Sequence, residues 1–394
     1  MSWRRALAGA CAGAAAGYVA VRAIEAAGDW LAPAGRLTPD ARTYARRHRL
    51  NDLAETVRGV LGAIALAGPI GVALDRSSER APVWLRPALF AIPACAATAA
   101  AELPVAFVTD YTLERRYGLS DRSREAWLTD FAKGAAVSSA TTVVLATLFG
   151  WAVRRAPHSW PLLAAAGTQP LLALGNLIVP LLVMPLFNAF QPVSGPLETR
   201  LRELASRLGV ADAEIMRMDL SRRTRKANAF VTGIAGTHRI VLGDTLIEAF
   251  REDEIEFVVA HEIGHYARKD TWRLMVAAEL LACALYVAAQ SLVPAAQRDA
   301  LRDRPILLAR YYAAMAAASL AARPLLLAYA RSREWAADRF AIAATGAPRA
   351  GASALRRLRD RNLADEDPPR WYELLFGSHP SLRTRIAALD GQSS

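Results

Sequence analysis

Residues 251–293 read REDEIEFVVAHEIGHYARKDTWRLMVAAELLACALYVAAQSLV, and the two halves of that stretch follow different rules. The first, residues 251–268, is patterned as a helix. Glu252, Asp253 and Glu254 load its first turn with negative charge, and Arg268 and Lys269 load its end with positive charge, both favourable to a helix dipole. In the second half, residues 274–293 keep Glu279 as their one charge and are otherwise almost wholly apolar. That length matches the roughly 20 residues a helix needs to cross a hydrocarbon core. A polar helix carrying two histidines therefore runs straight into a membrane-length apolar segment.

Six further blocks of the same kind occupy residues 6–27, 57–74, 87–108, 134–153, 160–187 and 306–329. The chain is 53% hydrophobic and 22% charged, but the clustering carries more weight than the totals. One such block alone fits a buried helix of a soluble protein, whereas seven predict membrane spans. The first is Ala/Gly-rich and broken by Arg22 and Glu25, and Arg4 and Arg5 before it give it a signal-peptide flavour. It lacks a small-residue cleavage site with a polar exit, so it is read as an uncleaved span.

The formal charge of +11 does not indicate a nucleic-acid partner. Nearly all of it is arginine, the only lysines being Lys133, Lys226 and Lys269. The arginines crowd into alternate connectors: Arg36, Arg42, Arg46, Arg47 and Arg49, then Arg115, Arg116, Arg122 and Arg124. By the positive-inside rule these connectors and the C-terminal tail are cytoplasmic. Cys11, Cys95 and Cys283 all lie in apolar blocks without motif spacing and read as inert thiols.

The expected fold class is a mainly α integral membrane protein, with about seven transmembrane helices and a small α+β peptidase domain on the cytoplasmic side. Residues 1–187 form a five-helix region and 188–271 a first polar region. Residues 272–329 carry helices six and seven, and 330–394 form a second polar region able to join the first. Leu197, Leu201, Leu204 and Leu208 have helical spacing, and the runs 229–232 and 239–242, separated by Gly233 and Gly236, read as a hairpin.

His261-Glu262-Ile263-Gly264-His265 is an HExxH sequence within a helical segment. Residues four apart share a helix face, so both imidazoles can reach one metal, while Glu262 lies about 100° round, near enough to reach a water there without ligating. A catalytic zinc takes three protein ligands and leaves one position open. Downstream, Glu334 and Asp338 are one turn apart beside Trp335, Ala336, Ala337 and Phe340, too apolar a company for a freely exposed helix. A carboxylate on the metal with another behind a ligand imidazole is a familiar two-layer arrangement.

With these residues in view, the chain resembles the type I CAAX prenyl endopeptidases, integral-membrane zinc peptidases of the gluzincin kind. The likeness extends over residues 110–133, with Glu114, Arg116-Tyr117-Gly118-Leu119-Ser120, Trp127 and Asp130. It also takes in Pro185-Leu186-Phe187-Asn188, Asn228-Ala229-Phe230-Val231-Thr232-Gly233, and Ser378-His379-Pro380 with Arg385. The family's Ser-Arg pair before the third ligand reads Ala330-Arg331 here. The resemblance implies one Zn2+ per chain on His261, His265 and Glu334, Glu262 as catalytic base, and Asp338 behind the ligands. It places His379 at the reacting centre, Asn228, Ala229 and Phe230 on the substrate-receiving strand, and Arg385 facing the site as a further substrate-binding residue. It also implies a water-filled chamber within the helices, which Glu279 and Arg310 would line.

The expected partners are the lipid bilayer and a peptide or protein substrate, lipidated or membrane-associated. The alanine and arginine bias points to a GC-rich bacterial genome, hence a bacterial cytoplasmic membrane with the active site on its cytoplasmic side. Two alternatives stand beside this reading. One is a membrane-protein quality-control peptidase with the same chemistry. The other is a non-catalytic scaffold or transporter, against which the intact HExxH and third carboxylate argue.

Overall fold

The computed structural model describes residues 39–232, 238–291 and 304–392. The apolar block at 6–27, Cys11 and the turn between the two hairpin strands lie outside these.

Helices account for most of the chain. Helix α1 (Pro39–Ala67) and α2 (Pro69–Ser78) meet at a 47° bend, where Pro69 starts the second helix and cannot continue the hydrogen-bond ladder of the first. Helix α3 (Arg86–Ala106) runs on through a π-helical turn to Arg116. Helix α4 (Arg124–Arg155) opens on Ser123, whose hydroxyl accepts the Ala126 N–H. Helix α5 is Trp160–Ile178, α6 Pro196–Arg207, α7 Asp244–Ala249, α8 Glu252–Ala267, α9 Asp270–Ser291 and α10 Pro305–Thr345. Helices α11 (Pro348–Asn362), α12 (Arg370–Phe376) and α13 (Leu382–Gly391) complete the series.

Four of these helical stretches, Arg86–Arg116, Arg124–Arg155, Asp270–Ala288 and Pro305–Thr345, are long and apolar enough to cross a membrane, and α1 with α2 can form a fifth, bent span. At most 17% of their apolar windows is buried within the protein. Leu61, Ile64, Leu145, Trp151, Leu280 and Leu325 stand exposed along them. Apolar surface on that scale calls for an apolar surrounding, which a bilayer supplies.

Polar contacts gather at two opposite sets of helix ends. In one set, Arg304 forks onto buried Asp75 at 3.0 and 3.1 Å, Arg154 donates to the Val83 carbonyl, and Gln290 donates to those of Pro157 and His158. In the other, Tyr44 and Lys226 meet on Glu114, Arg49 pairs with Asp365, and Tyr372 donates to Asp52. The arginine-rich connectors thus lie with the two polar regions, and the arginine-poor ones lie with each other.

The polar regions share one core. Leu201 and Leu204 of α6, Ile255, Val259 and Ile263 of α8, Ala352 and Leu355 of α11, and Ile386 and Leu389 of α13 pack in a single cluster. A four-stranded sheet borders it: β1 (Phe190–Pro192), β2 (Glu214–Met218), β3 (Ala229–Thr232) and β4 (Arg239–Gly243), in the order β1-β2-β4-β3. The expected hairpin is the antiparallel pair β3/β4, while β2 lies parallel to β4. Strand β3 is therefore an edge. Strands β1 and β2 escape a sequence reading because β1 is three residues long and ends on Pro192.

Helix α11 approaches α8 closely at Gly351, where an added Cβ would lie 2.4 to 2.6 Å from three atoms of the Phe257 ring. Phe257 is buried and has no room to yield. Gly351→Ala should therefore destabilise the protein by about 1–3 kcal/mol, even though alanine is the better helix former. Thermal unfolding in detergent checks this, and a raised midpoint would contradict it.

Candidate metal centre

Helix α8 is fixed at its start by a buried carboxylate. Glu254 accepts the Arg251 N–H at 2.8 Å, the Ser353 hydroxyl at 2.5 Å and the Arg357 guanidinium, joining the helix entrance to α11. At its other end Lys269 takes a left-handed conformation (φ 54°) and α9 begins at once with Asp270. A lysine tolerates that backbone at some cost, and the sharp turn returns Asp270 to α8.

Between these ends His261 and His265 lie on one face, with their Nε2 atoms 3.1 Å apart. Helix α10 brings Glu334 against both: Oε1 is 3.1 Å from His265 Nε2, and Oε2 is 3.4 Å from His261 Nε2. One ligand atom from each of the three residues lies within 4.8 Å of the other two. Gly264 permits this approach, since a Cβ there would come within 3.0 Å of Phe340 on α10.

Each imidazole is backed by its own carboxylate. Asp338 Oδ1 is 2.9 Å from His261 Nδ1, and Asp270 Oδ2 is 3.1 Å from His265 Nδ1. With a carboxylate beside each Nδ1, the Nε2 of each ring is left for the common point. Asp338 was expected from its spacing. Asp270 was not, because it belongs to a different helix from the HExxH face and a left-handed turn, invisible in the sequence, delivers it.

Arg385 of α13 is 5% exposed and forks onto Asp338 at 2.6 and 2.9 Å, with Nη1 3.3 Å from Glu334 Oε2. It stands behind the carboxylates and is enclosed by them, although grouped above with the substrate-facing residues. His379 has a largely exposed side chain and lies 3.5 Å from Glu334 Oε1 through Nε2, while Nδ1 is 2.9 Å from Ser378 Oγ. Its loop is tied to α10 by Arg331, which donates to the Glu373 and Gly377 carbonyls at 2.9 and 2.8 Å. Asn228 is exposed at the head of β3, and Ala229 and Phe230 follow it on the strand.

The donor set fits a divalent cation. Glu334 Oε2 is buried without a hydrogen bond, and two facing Nε2 atoms have at most one proton to share. Burial opposes charge on His261, but the Asp338 and Glu334 carboxylates against its two ring nitrogens outweigh it and push the imidazole pKa up to about 9. The centre thus favours positive charge. Glu262 makes no hydrogen bond or ion pair among the described residues, and burial raises its carboxyl above the usual range.

Residues 193–393 match the profile of Peptidase family M48, and residues 41–189 match the profile described as CAAX prenyl protease N-terminal, five membrane helices. An uncharacterized metalloprotease of Bacillus subtilis, YhfN, is 28% identical over 70% of this chain and 67% of its own length. The CAAX prenyl protease 1 homolog of Oryza sativa is also 28% identical, over 74% of this chain and 70% of its own. The crystal structure of S. mikatae Ste24p shares the fold, with a TM-score of 0.77 at 21% identity over 99% of both chains.

Proposed function

The chain belongs to peptidase family M48 and is a membrane-embedded metalloendopeptidase, and from that premise we propose that it holds one zinc on His261, His265 and Glu334 and hydrolyses membrane-associated polypeptides on the cytoplasmic side. The observation that carries this reading is the convergence of His261, His265 and Glu334 from two helices, each imidazole backed by a separate carboxylate.

A zinc bound there would supply a Lewis acid for the scissile carbonyl and a water activated near neutral pH. Glu262, which makes no hydrogen bond or ion pair among the described residues, takes the proton from the attacking water and hands it to the departing amine. Its burial-raised pKa suits that exchange, since a base closer to neutrality also serves as the acid. His379 donates to the developing oxyanion from its exposed loop. Arg385 and Asp338 act as positioning residues that hold His261 and Glu334. Strand β3 receives the substrate as an added strand, which fixes its register. Peptide cleavage by the purified protein, abolished by a chelator and restored by zinc, tests the reading. Activity insensitive to chelation would sink it. Running prenylated and unmodified peptides side by side decides whether a lipid is required.

Asp270→Asn tests the inner architecture. An amide turned to donate to His265 Nδ1 would reverse the imidazole tautomer and aim a proton at the metal. Metal affinity should fall about 10- to 100-fold, measured by competition with a chromophoric chelator. Unchanged affinity would leave Asp270 a structural ion-pair residue only.

Sidedness rests on the arginine-rich connectors lying with the catalytic region. In cysteine-free protein, a cysteine replacing exposed Ala387 should be shielded from impermeant thiol reagents in intact cells, and one replacing exposed Ser77 should react. The reverse pattern would place the active site outside.

A further inference from the structure

Asn362, the last residue of α11, is far from the metal centre in sequence and belongs to none of the motifs above. Its side-chain amide pairs with both backbone groups of one residue: Ala227 N–H donates to Asn362 Oδ1 at 2.8 Å, and Asn362 Nδ2 donates to the Ala227 carbonyl at 3.1 Å. That two-bond pairing is what a neighbouring strand would offer.

Its position follows from the alternation of an antiparallel ladder. The Gly243 N–H donates to the Asn228 carbonyl at 2.9 Å, so the backbone groups of Asn228 face β4. In the register of β3 and β4, Phe230 and Thr232 share that direction. The groups of Ala227, Ala229 and Val231 therefore face away from β4, along the free edge. Ala227 is closed by Asn362 and is itself buried, while Ala229 and Val231 have no strand paired on that side among the described residues. The same corner is braced by Lys226, which donates to Tyr44 at 2.8 Å and to Glu114 at 3.0 Å.

We propose that Asn362 is a register stop: it occupies the first outward-facing position of the β3 edge, so that a substrate strand pairs with Ala229 and Val231 and cannot slide past them. This rests on the reading that β3 receives the substrate. A strand with no stop slips in steps of two residues, because a one-residue slip turns every side chain over. Asn362 thus acts as a specificity-determining residue that selects which peptide bond reaches the metal, without touching the reacting atoms.

The test is the position of cleavage. A set of short synthetic peptides, farnesylated and unmodified, is digested by the zinc-loaded full chain and its variants, and the products are mapped by mass spectrometry. With Asn362→Ala, products displaced by two residues should rise to roughly a tenth to a fifth of the total, the ratio that one hydrogen bond's preference sustains. Asn362→Asp keeps the acceptor for the Ala227 N–H and loses the other bond. It should show the same displacement to a smaller degree, and it decides the matter if the alanine variant does not fold. Cleavage at the wild-type bond alone in the folded variants would overturn the proposal. Ala229→Pro, which removes an outward N–H, separates the two readings. A KM raised several-fold beside unmoved Asn362 variants defeats only the register stop. An unchanged KM and cleavage pattern in Ala229→Pro defeats the edge reading itself.

Discussion

Glu262→Gln should fold, insert and keep its zinc while hydrolysing peptides about 10² to 10⁴ times more slowly than the wild type. The amide matches the carboxylate in shape but cannot accept the proton of the attacking water. Glu262 makes no hydrogen bond or ion pair among the described residues, so the exchange breaks no structural contact there. Removing its charge also leaves the imidazole partners Asp270, Asp338 and Glu334 in place. Stability should even gain slightly, because the buried carboxylate is disfavoured as an ion. Substrate KM should change little, since the edge strand and the metal are intact. Zinc content, peptide binding and turnover measured on one preparation check the whole set. Near-normal turnover by zinc-loaded protein would sink the mechanism, and loss of zinc would show that Glu262 helps to hold the site.

The placement on which that proposed separation of roles rests was legible in the sequence. HExxH puts two imidazoles on one face of α8 and a carboxylate off it, and helix geometry alone gives the rest. Glu334 and Asp338 were legible because their spacing and apolar neighbours mark one buried face of α10. Among the described residues, the apolar blocks at 57–74, 87–108, 134–153, 274–293 and 306–329 marked membrane-length helices for the same reason, since membrane-length hydrophobicity is a property of composition over a window.

What escaped the sequence depends on backbone direction. Asp270 reaches His265 through a left-handed Lys269, a conformation no residue preference announces. Arg385 was read as facing substrate, yet its fork onto Asp338 depends on where α13 docks in the core, which is a long-range packing outcome. Asn362 meets Ala227 across 135 residues of chain, with no local signature at either end. The parallel β2/β4 pairing likewise joins strands that sequence order does not make neighbours.

Glu334→Ala should lose zinc and activity together, with a fall in metal affinity well beyond the about 10- to 100-fold that loss of an outer carboxylate costs. Among the described residues, the variant loses the only carboxylate that lies against both His Nε2 atoms. Two imidazoles alone make a poor catalytic zinc site, which takes three protein ligands. Proton competition works in the opposite direction, which makes the result diagnostic. Cation binding displaces the proton that His261 holds up to a pKa of about 9, so wild-type affinity falls as pH drops below that value. Glu334 is one of the two carboxylates beside the ring that raise this pKa, the other being Asp338. Its removal lowers the pKa and leaves His261 more available to a metal at neutral pH. A loss of zinc at pH 7 must therefore come from the missing ligand and not from a stronger competing proton. Metal analysis after dialysis, repeated at pH 7 and pH 9, reads this directly. Full occupancy in Glu334→Ala would remove Glu334 from the ligand set. Recovery of zinc at the higher pH alone would mean that the variant's imidazoles hold their protons more tightly, which would overturn the expected fall in the His261 pKa.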